Sequence, residues 1–139
     1  LDADLLPFAR NASLPWLMTA HIVYPTFDPI WPATLSRSVI TGIIRGRMGF
    51  RGVLVTDDLA MKALRGAPVD LARQALAAGC DVGLYCSGDF PETEALLAGI
   101  PPLSQDAHAR LATARSAVAQ RRMVLDAAAL AEQRDRLAA

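Results

Sequence analysis

A chain of 139 residues with 53% hydrophobic and 20% charged positions has the make-up of one ordered globular domain, which excludes a disordered tail. Fourteen basic residues against fourteen acidic ones leave no net charge, so no electrostatic case arises for nucleic acid or an anionic membrane as partner. Two cysteines, Cys80 and Cys86, make neither a disulfide framework nor a zinc site, and no apolar run approaches the ~20 residues that cross a bilayer.

The chain opens Leu1-Asp2-Ala3-Asp4, without a start Met or a secretory leader, so the expectation is a piece that begins partway through a longer protein. Reduced thiols and the missing leader set a cytoplasmic location as the expectation. Leu5-Leu6-Pro7-Phe8 reads as a short loop into a helix or turn that ends between residues 11 and 15. The first strand is expected near residues 14–20, where Trp16-Leu17-Met18-Thr19-Ala20-His21 turns abruptly polar. Residues 24–32 carry three prolines and Asp28, the mark of a long loop. A helix follows, with Thr34 or Ser36 as its N-cap. Val39, Ile40, Ile43, Ile44 and Met48 form its apolar face, and Gly49 ends it.

Gly52 opens the stretch around which the rest is arranged, Val53-Leu54-Val55-Thr56-Asp57-Asp58. A short apolar run rich in β-branched residues reads as a fully buried parallel strand, expected over 53–57. It delivers two carboxylates to its carboxyl end, where open α/β sheets and (β/α)8 barrels build their chemistry. Locally two roles stand side by side: Asp57 and Asp58 as active-site acids, or Asp58 or Thr56 as the cap of a following short helix through Leu64.

Arg65-Gly66-Ala67-Pro68 breaks that helix, and Val69, Ala72, Ala75 and Leu76 mark another, capped by Gly79. The third strand is expected over 81–86, with Cys86 at its end as a small buried thiol. Pro91 starts a further helix. From Ser104 the chain is Ala- and Arg-rich helix in two pieces, divided near Leu125-Asp126.

The alternation β-α-β-α-β-α predicts parallel strands joined by right-handed crossovers. Three such strands leave two unpaired edges and one poorly covered sheet face, which more strands before residue 1 would repair. The fold class is therefore α/β, the C-terminal part of a (β/α)8 TIM barrel with parallel strands and flanking helices. Residues 1–125 are assigned to the barrel and 126–139 to a C-terminal helical extension. Alone, such a piece is expected to aggregate or to dimerise through its open edges.

Several ordered segments carry a resemblance: Leu6-Pro7-Phe8, Met18-Thr19-Ala20-His21-Ile22-Val23-Tyr24-Pro25, Asp28, Pro32-Ala33-Thr34-Leu35-Ser36, Met48-Gly49-Phe50-Arg51-Gly52 and Thr56-Asp57-Asp58-Leu59-Ala60-Met61. In this order and spacing, over about residues 5–86, the chain resembles bacterial cytosolic β-N-acetylglucosaminidases of glycoside hydrolase family 3. The resemblance implies a retaining hydrolase that releases terminal N-acetylglucosamine from muropeptide fragments, or from a chitobiose-like saccharide, in cell-wall recycling. It implies Asp57 as the nucleophile, and neither cofactor nor metal. The family's general acid/base His lies on a Lys-His-x-Pro-Gly-His-Gly loop upstream of the segment matching Leu6-Pro7-Phe8. His21 and His108 are the two histidines here, and neither sits in such a motif. The implied partner is the upstream half of the same barrel, without which the isolated chain is expected to be inactive.

Around Asp57 the roles stay open. His21 ends a strand and either lines the sugar site or holds neighbouring loops by hydrogen bonds. Asp58 orients Asp57 or Lys62, touches substrate, or caps the next helix. Met61 either touches the sugar or packs. Trp16 is expected in the core, Trp31 on the loop flanking the aglycone side, and His108 in solvent. Two other readings are a non-catalytic partial barrel and a phospho-acceptor receiver domain with a Mg²⁺-binding acidic pair. The receiver reading requires the acidic pair to close the first strand and a later strand to end in Asp, where this chain has Tyr85-Cys86.

Overall fold

The computed structural model of the chain describes residues 2–120 and 126–137. Its elements are α1 (Asp2–Arg10), β1 (Trp16–Met18), a π-helix (Val39–Arg47), β2 (Val53–Asp58), α2 (Pro68–Ala78), β3 (Val82–Leu84), α3 (Phe90–Gly99), α4 (Gln105–Gln120) and α5 (Ala127–Leu137). The strands lie in the order β1-β2-β3, and both pairs are parallel. β2 takes the centre because its first half is apolar on both faces, with Val53 and Leu54 fully buried. The outer strands are shorter than expected, three residues each, since each has a partner on one side only among the described residues.

Register follows from how closely the chain entries to β1 and β2 approach. Trp16 pairs with Val53, Leu17 with Leu54 and Met18 with Val55. A Cβ at Gly52 would lie 2.6 Å from the Pro15 carbonyl oxygen and 2.8 Å from that of Leu14, so only glycine admits this approach. Leu17 and Leu54 face a core built with Ile40 and Ile44 of the π-helix, Phe50, and Leu71, Ala72 and Ala75 of α2. Their neighbours Trp16 and Val53 therefore face the other way, and there α4 packs on β2 with Ala107 and Ala114 buried. The second sheet face is thus covered in part, near the amino ends of the strands. Met18, further along the same face, stays 51% exposed.

A buried ion cluster ties this base together. Asp81, just before β3, bonds Arg45 at 2.8 Å, Arg110 of α4 at 2.7 Å and the backbone N–H of Leu54 at 2.8 Å. Arg45 also donates to the Gly52 carbonyl at 2.7 Å and lies over the Phe50 ring. Every oxygen of the buried carboxylate is answered, which a charge removed from water requires.

Five local expectations are corrected. Residues 2–10 form a helix through Pro7, not a loop leading into one. The helix before β2 is a π-helix, with the Met48 N–H bonding the Ile43 carbonyl at 2.8 Å and Ile40, Ile44 and Met48 on its buried side. Residues 59–64 form successive turns, not a helix: the Met61 N–H bonds the Asp58 carbonyl and the Leu64 N–H bonds that of Met61. The Asp58 side chain takes the Ala60 N–H, a local bond that competes with helix formation. Trp16 is 42% exposed, since it faces away from the helix-side core. Cys86 is exposed because it lies beyond the last paired residue of β3, whereas Cys80 is buried. Ser36 does act as a cap, its hydroxyl accepting the Val39 N–H at 3.1 Å. The division at Leu125 lies outside the described residues, while Asp126 caps α5 by accepting the Ala128 and Ala129 N–H groups.

Candidate active site

The site assembles at the carboxyl ends of the three strands. Pairing runs from Val55 with Val82 to Asp58 with Leu84, so β2 carries one more residue than β3 across that interval. This bulge covers Thr56 and Asp57, and bulges of this kind re-aim side chains beside active sites. The buried Thr56 hydroxyl accepts the Leu84 N–H at 2.8 Å, supplying the acceptor that the shifted ladder withholds.

Asp57 is partly buried, and its Oδ1 accepts the backbone N–H of Asp58 at 2.8 Å. Its Oδ2 has no hydrogen-bond partner among the described residues. Asp58 is turned to a different task. Its Oδ1 accepts the N–H groups of Ala60 and Cys86, both at 2.9 Å, which joins the turn after β2 to the end of β3. Lys62 is exposed and forms no ion pair with Asp58 among the described residues.

His21 reaches across from the end of β1. Its Nε2 lies 2.9 Å from the Asp58 carbonyl oxygen and its Nδ1 2.8 Å from the Thr34 hydroxyl. Thr34 in turn lies 2.9 Å from the Thr19 hydroxyl. Both ring nitrogens are thereby engaged by the protein. Met61 is 45% exposed on the turn after β2, and its N–H completes the coordination of the Asp58 carbonyl at 3.0 Å. His108 is exposed on α4, two residues from Arg110, which bonds Asp81 at the opposite, amino end of β3.

The long loop after β1 is folded by one carboxylate. Asp28 accepts the N–H groups of Ile30 and Trp31 at 3.0 Å each and the Ser36 hydroxyl at 2.7 Å. These bonds, that of Ser36 foremost, hold its carboxyl down at about 2. Val23 pairs with Pro32 across the loop, and Trp31 projects with 46% of its surface exposed.

An apolar groove of about 410 Å³ lies away from Asp57, between α1, β1 and the π-helix, lined by Leu5, Phe8, Leu17, Phe27, Ile43 and Met48. Among the described residues no three His, Cys, Asp or Glu side chains gather as metal ligands would.

A parallel strand that ends in a carboxylate with one oxygen held and one open is a constellation shared by many hydrolases. The model of the glycosyl hydrolase family 3 N-terminal domain matches residues 2–121. The chain belongs to glycosyl hydrolase family 3. Among curated relatives, a β-hexosaminidase of Pseudomonas aeruginosa is 43% identical over 112 residues, 78% of this chain and 33% of the relative. A β-hexosaminidase of Chromobacterium violaceum is 44% identical over 106 residues, 73% of this chain and 29% of that protein. The chain thus spans about a third of the length of the curated relatives it matches. Among solved structures, NagZ from Neisseria gonorrhoeae in complex with N-trifluoroacetyl-D-glucosamine superposes with a TM-score of 0.66 at 35% identity, over 77% of this chain and 32% of that one. A β-N-acetylhexosaminidase from Beutenbergia cavernae gives 0.63 at 29% identity, over 82% and 38%. The three parallel strands and their helices are part of a family 3 barrel domain of the TIM type, and the receiver reading is set aside.

Within this family 3 segment, the residue that sequence reasoning passes over is Thr19, whereas Thr34 and Thr56, expected as helix caps, instead serve His21 and the Leu84 N–H. The available signal was a hydroxyl in an apolar stretch at a strand's carboxyl end, which must find a partner once buried.

Proposed function

We propose that this segment is the carboxyl-terminal part of a retaining β-N-acetylglucosaminidase barrel, with Asp57 as the nucleophile. The observation that carries the reading is the state of that carboxylate, with Oδ1 held by the Asp58 N–H and Oδ2 open at the end of the central strand. In the reaction, an Asp57 oxygen bonds the anomeric carbon as the glycosidic C–O bond breaks. The transition state resembles an oxocarbenium ion, which the adjacent negative charge stabilises. The aglycone oxygen leaves with a proton from a general acid, and water later hydrolyses the glycosyl ester to regenerate Asp57.

The acid is assigned to the upstream part of the same barrel. His21 has both nitrogens engaged and His108 lies away from the site. The free edge of β1, the groove beside it and the exposed Met18 are the surfaces that further barrel strands would cover. The substrate class is a saccharide with terminal β-linked N-acetylglucosamine, in particular a muropeptide fragment recycled in the cytoplasm. It is supported by the family resemblance and by relatives named β-hexosaminidase. In this reading residues 126–139 are a helical extension outside the barrel.

The test uses the complete barrel enzyme. A fluorinated slow substrate should leave one ester, and peptide mapping should place it on Asp57. An ester on Asp58 or elsewhere overturns the assignment.

A further inference from the structure

The bonds around Asp57 select one of its two oxygens and identify the residues that hold the selection in place. A carbonyl oxygen only accepts, so the His21 Nε2 facing the Asp58 carbonyl at 2.9 Å must carry a proton. In the neutral ring Nδ1 is then the acceptor and the Thr34 hydroxyl donates to it at 2.8 Å. That spends the Thr34 proton, so Thr19 donates to Thr34 at 2.9 Å. The chain runs in one direction, from Thr19 through Thr34 and His21 to the Asp58 carbonyl. Thr19 and Thr34 are buried, so their hydroxyls have no solvent as a ready alternative, and His21 is partly buried beside them.

Residue 58 is consequently fixed at three points. Its carbonyl accepts from His21 and from the Met61 N–H, its carboxylate from Ala60 and Cys86, and its own N–H donates to Asp57 Oδ1. We propose that His21, set in one tautomer by Thr34 and Thr19, is a positioning residue that locks the Asp58 backbone so that Asp57 presents Oδ2 to the anomeric carbon. The inference rests on Asp57 being the nucleophile. Oδ2 forms the bond to the anomeric carbon as the glycosidic C–O bond breaks, and the aglycone oxygen takes its proton from the barrel's general acid. In the ester Oδ1 becomes the carbonyl oxygen and keeps the Asp58 N–H.

Two substitutions divide the roles of the His21 ring. His21→Gln keeps a donor near the Nε2 position and gives up the Thr34 contact, while His21→Asn keeps a partner for Thr34 and gives up the Asp58 contact. In the complete barrel enzyme, with a nitrophenyl N-acetylglucosaminide, His21→Asn should lower kcat roughly 100-fold with KM within about threefold, the scale for a misplaced reacting group. His21→Gln should stay within about tenfold of wild type. A merely structural histidine would make the two variants alike. Should His21→Asn fail to fold, Thr34→Val decides, since it frees Nδ1 to take the proton and should lower kcat without raising KM. The structure of the trapped ester should show the sugar on Oδ2 and the other oxygen on the Asp58 N–H. Equal kcat in both His21 variants, or wild-type kcat in His21→Asn or in Thr34→Val, with the ester still on Asp57, would overturn the positioning role and leave the nucleophile standing. An ester mapped to another residue removes the nucleophile and the positioning role together.

Discussion

Asp58 and Cys86 lie 28 positions apart in the chain, yet the carboxylate of the first accepts the backbone N–H of the second at 2.9 Å. One side chain therefore spans the carboxyl ends of β2 and β3. Neighbouring acids are held differently here, Asp57 with one oxygen open and Asp58 with its carboxylate bonded to the backbone of two segments.

Substitution should separate them. In the complete barrel enzyme, Asp57→Ala or Asp57→Asn should lower kcat on the order of 10⁴-fold or more, with the circular dichroism spectrum unchanged. Asp58→Asn keeps an acceptor oxygen and should be much milder. Asp58→Ala removes the acceptor of two solvent-exposed N–H groups, which water then serves, and should cost about 0.5–1.5 kcal/mol in urea unfolding. Full turnover in Asp57→Ala would end the catalytic reading.

Asp28 makes the long loop acid-sensitive. Its carboxyl is depressed from 3.8 to about 2, so the bonds to Ser36, Trp31 and Ile30 stabilise the fold fully above pH ~4. That contribution declines as pH falls through the folded value near 2. In a Trp16→Phe background, Trp31 fluorescence should shift between about pH 4 and pH 2. Asp28→Asn should abolish the acid step, and a step that survives this change would show that another group titrates.

The two thiols should react very differently. Burial pushes the Cys80 thiol up to about 12, whereas Cys86 is exposed beside the Asp58 carboxylate. Iodoacetamide at neutral pH should add one label, mapped to Cys86, with Cys80 labelled only after unfolding. Two rapid labels in the folded protein would contradict the packing around Cys80.

Asp81 should be among the least tolerant positions. Asp81→Ala strands Arg45, Arg110 and the Leu54 N–H at once, and breaking a buried pair of this kind costs about 3–5 kcal/mol. Asp81→Asn should recover part of the loss by keeping an oxygen for Leu54. Chemical denaturation of both variants would measure the difference, and wild-type stability in Asp81→Ala would contradict the cluster's role.

What the sequence made legible were features with one strong physical cause. Val53-Leu54-Val55 followed by Thr56-Asp57-Asp58 has few alternatives to a buried strand with acids at its mouth, and the structure places it at the centre. Gly79 and Pro91 likewise mark a helix end and a helix start. The less legible features depend on partners distant in sequence. Spacing at Ile40, Ile44 and Met48 suits a helix without stating which backbone bond closes it. Whether Trp16 is covered depends on which elements reach its sheet face, and among the described residues α4 reaches it in part. His21 was legible as a residue at a strand end, but its commitment to Thr34 and Asp58 follows from a loop path that periodicity does not encode.

The Asp81 cluster also imposes an order of events on synthesis. Arg45 and Leu54 leave the ribosome well before Asp81, and Arg110 emerges 29 residues after it. Until then Asp81 has one guanidinium instead of two, and α4 cannot yet cover the sheet face that carries Trp16 and Val53. The base of the sheet thus closes late, when α4 docks, and a nascent chain that pauses between these points holds its central strand half-covered. Such an interval invites mispairing with other chains.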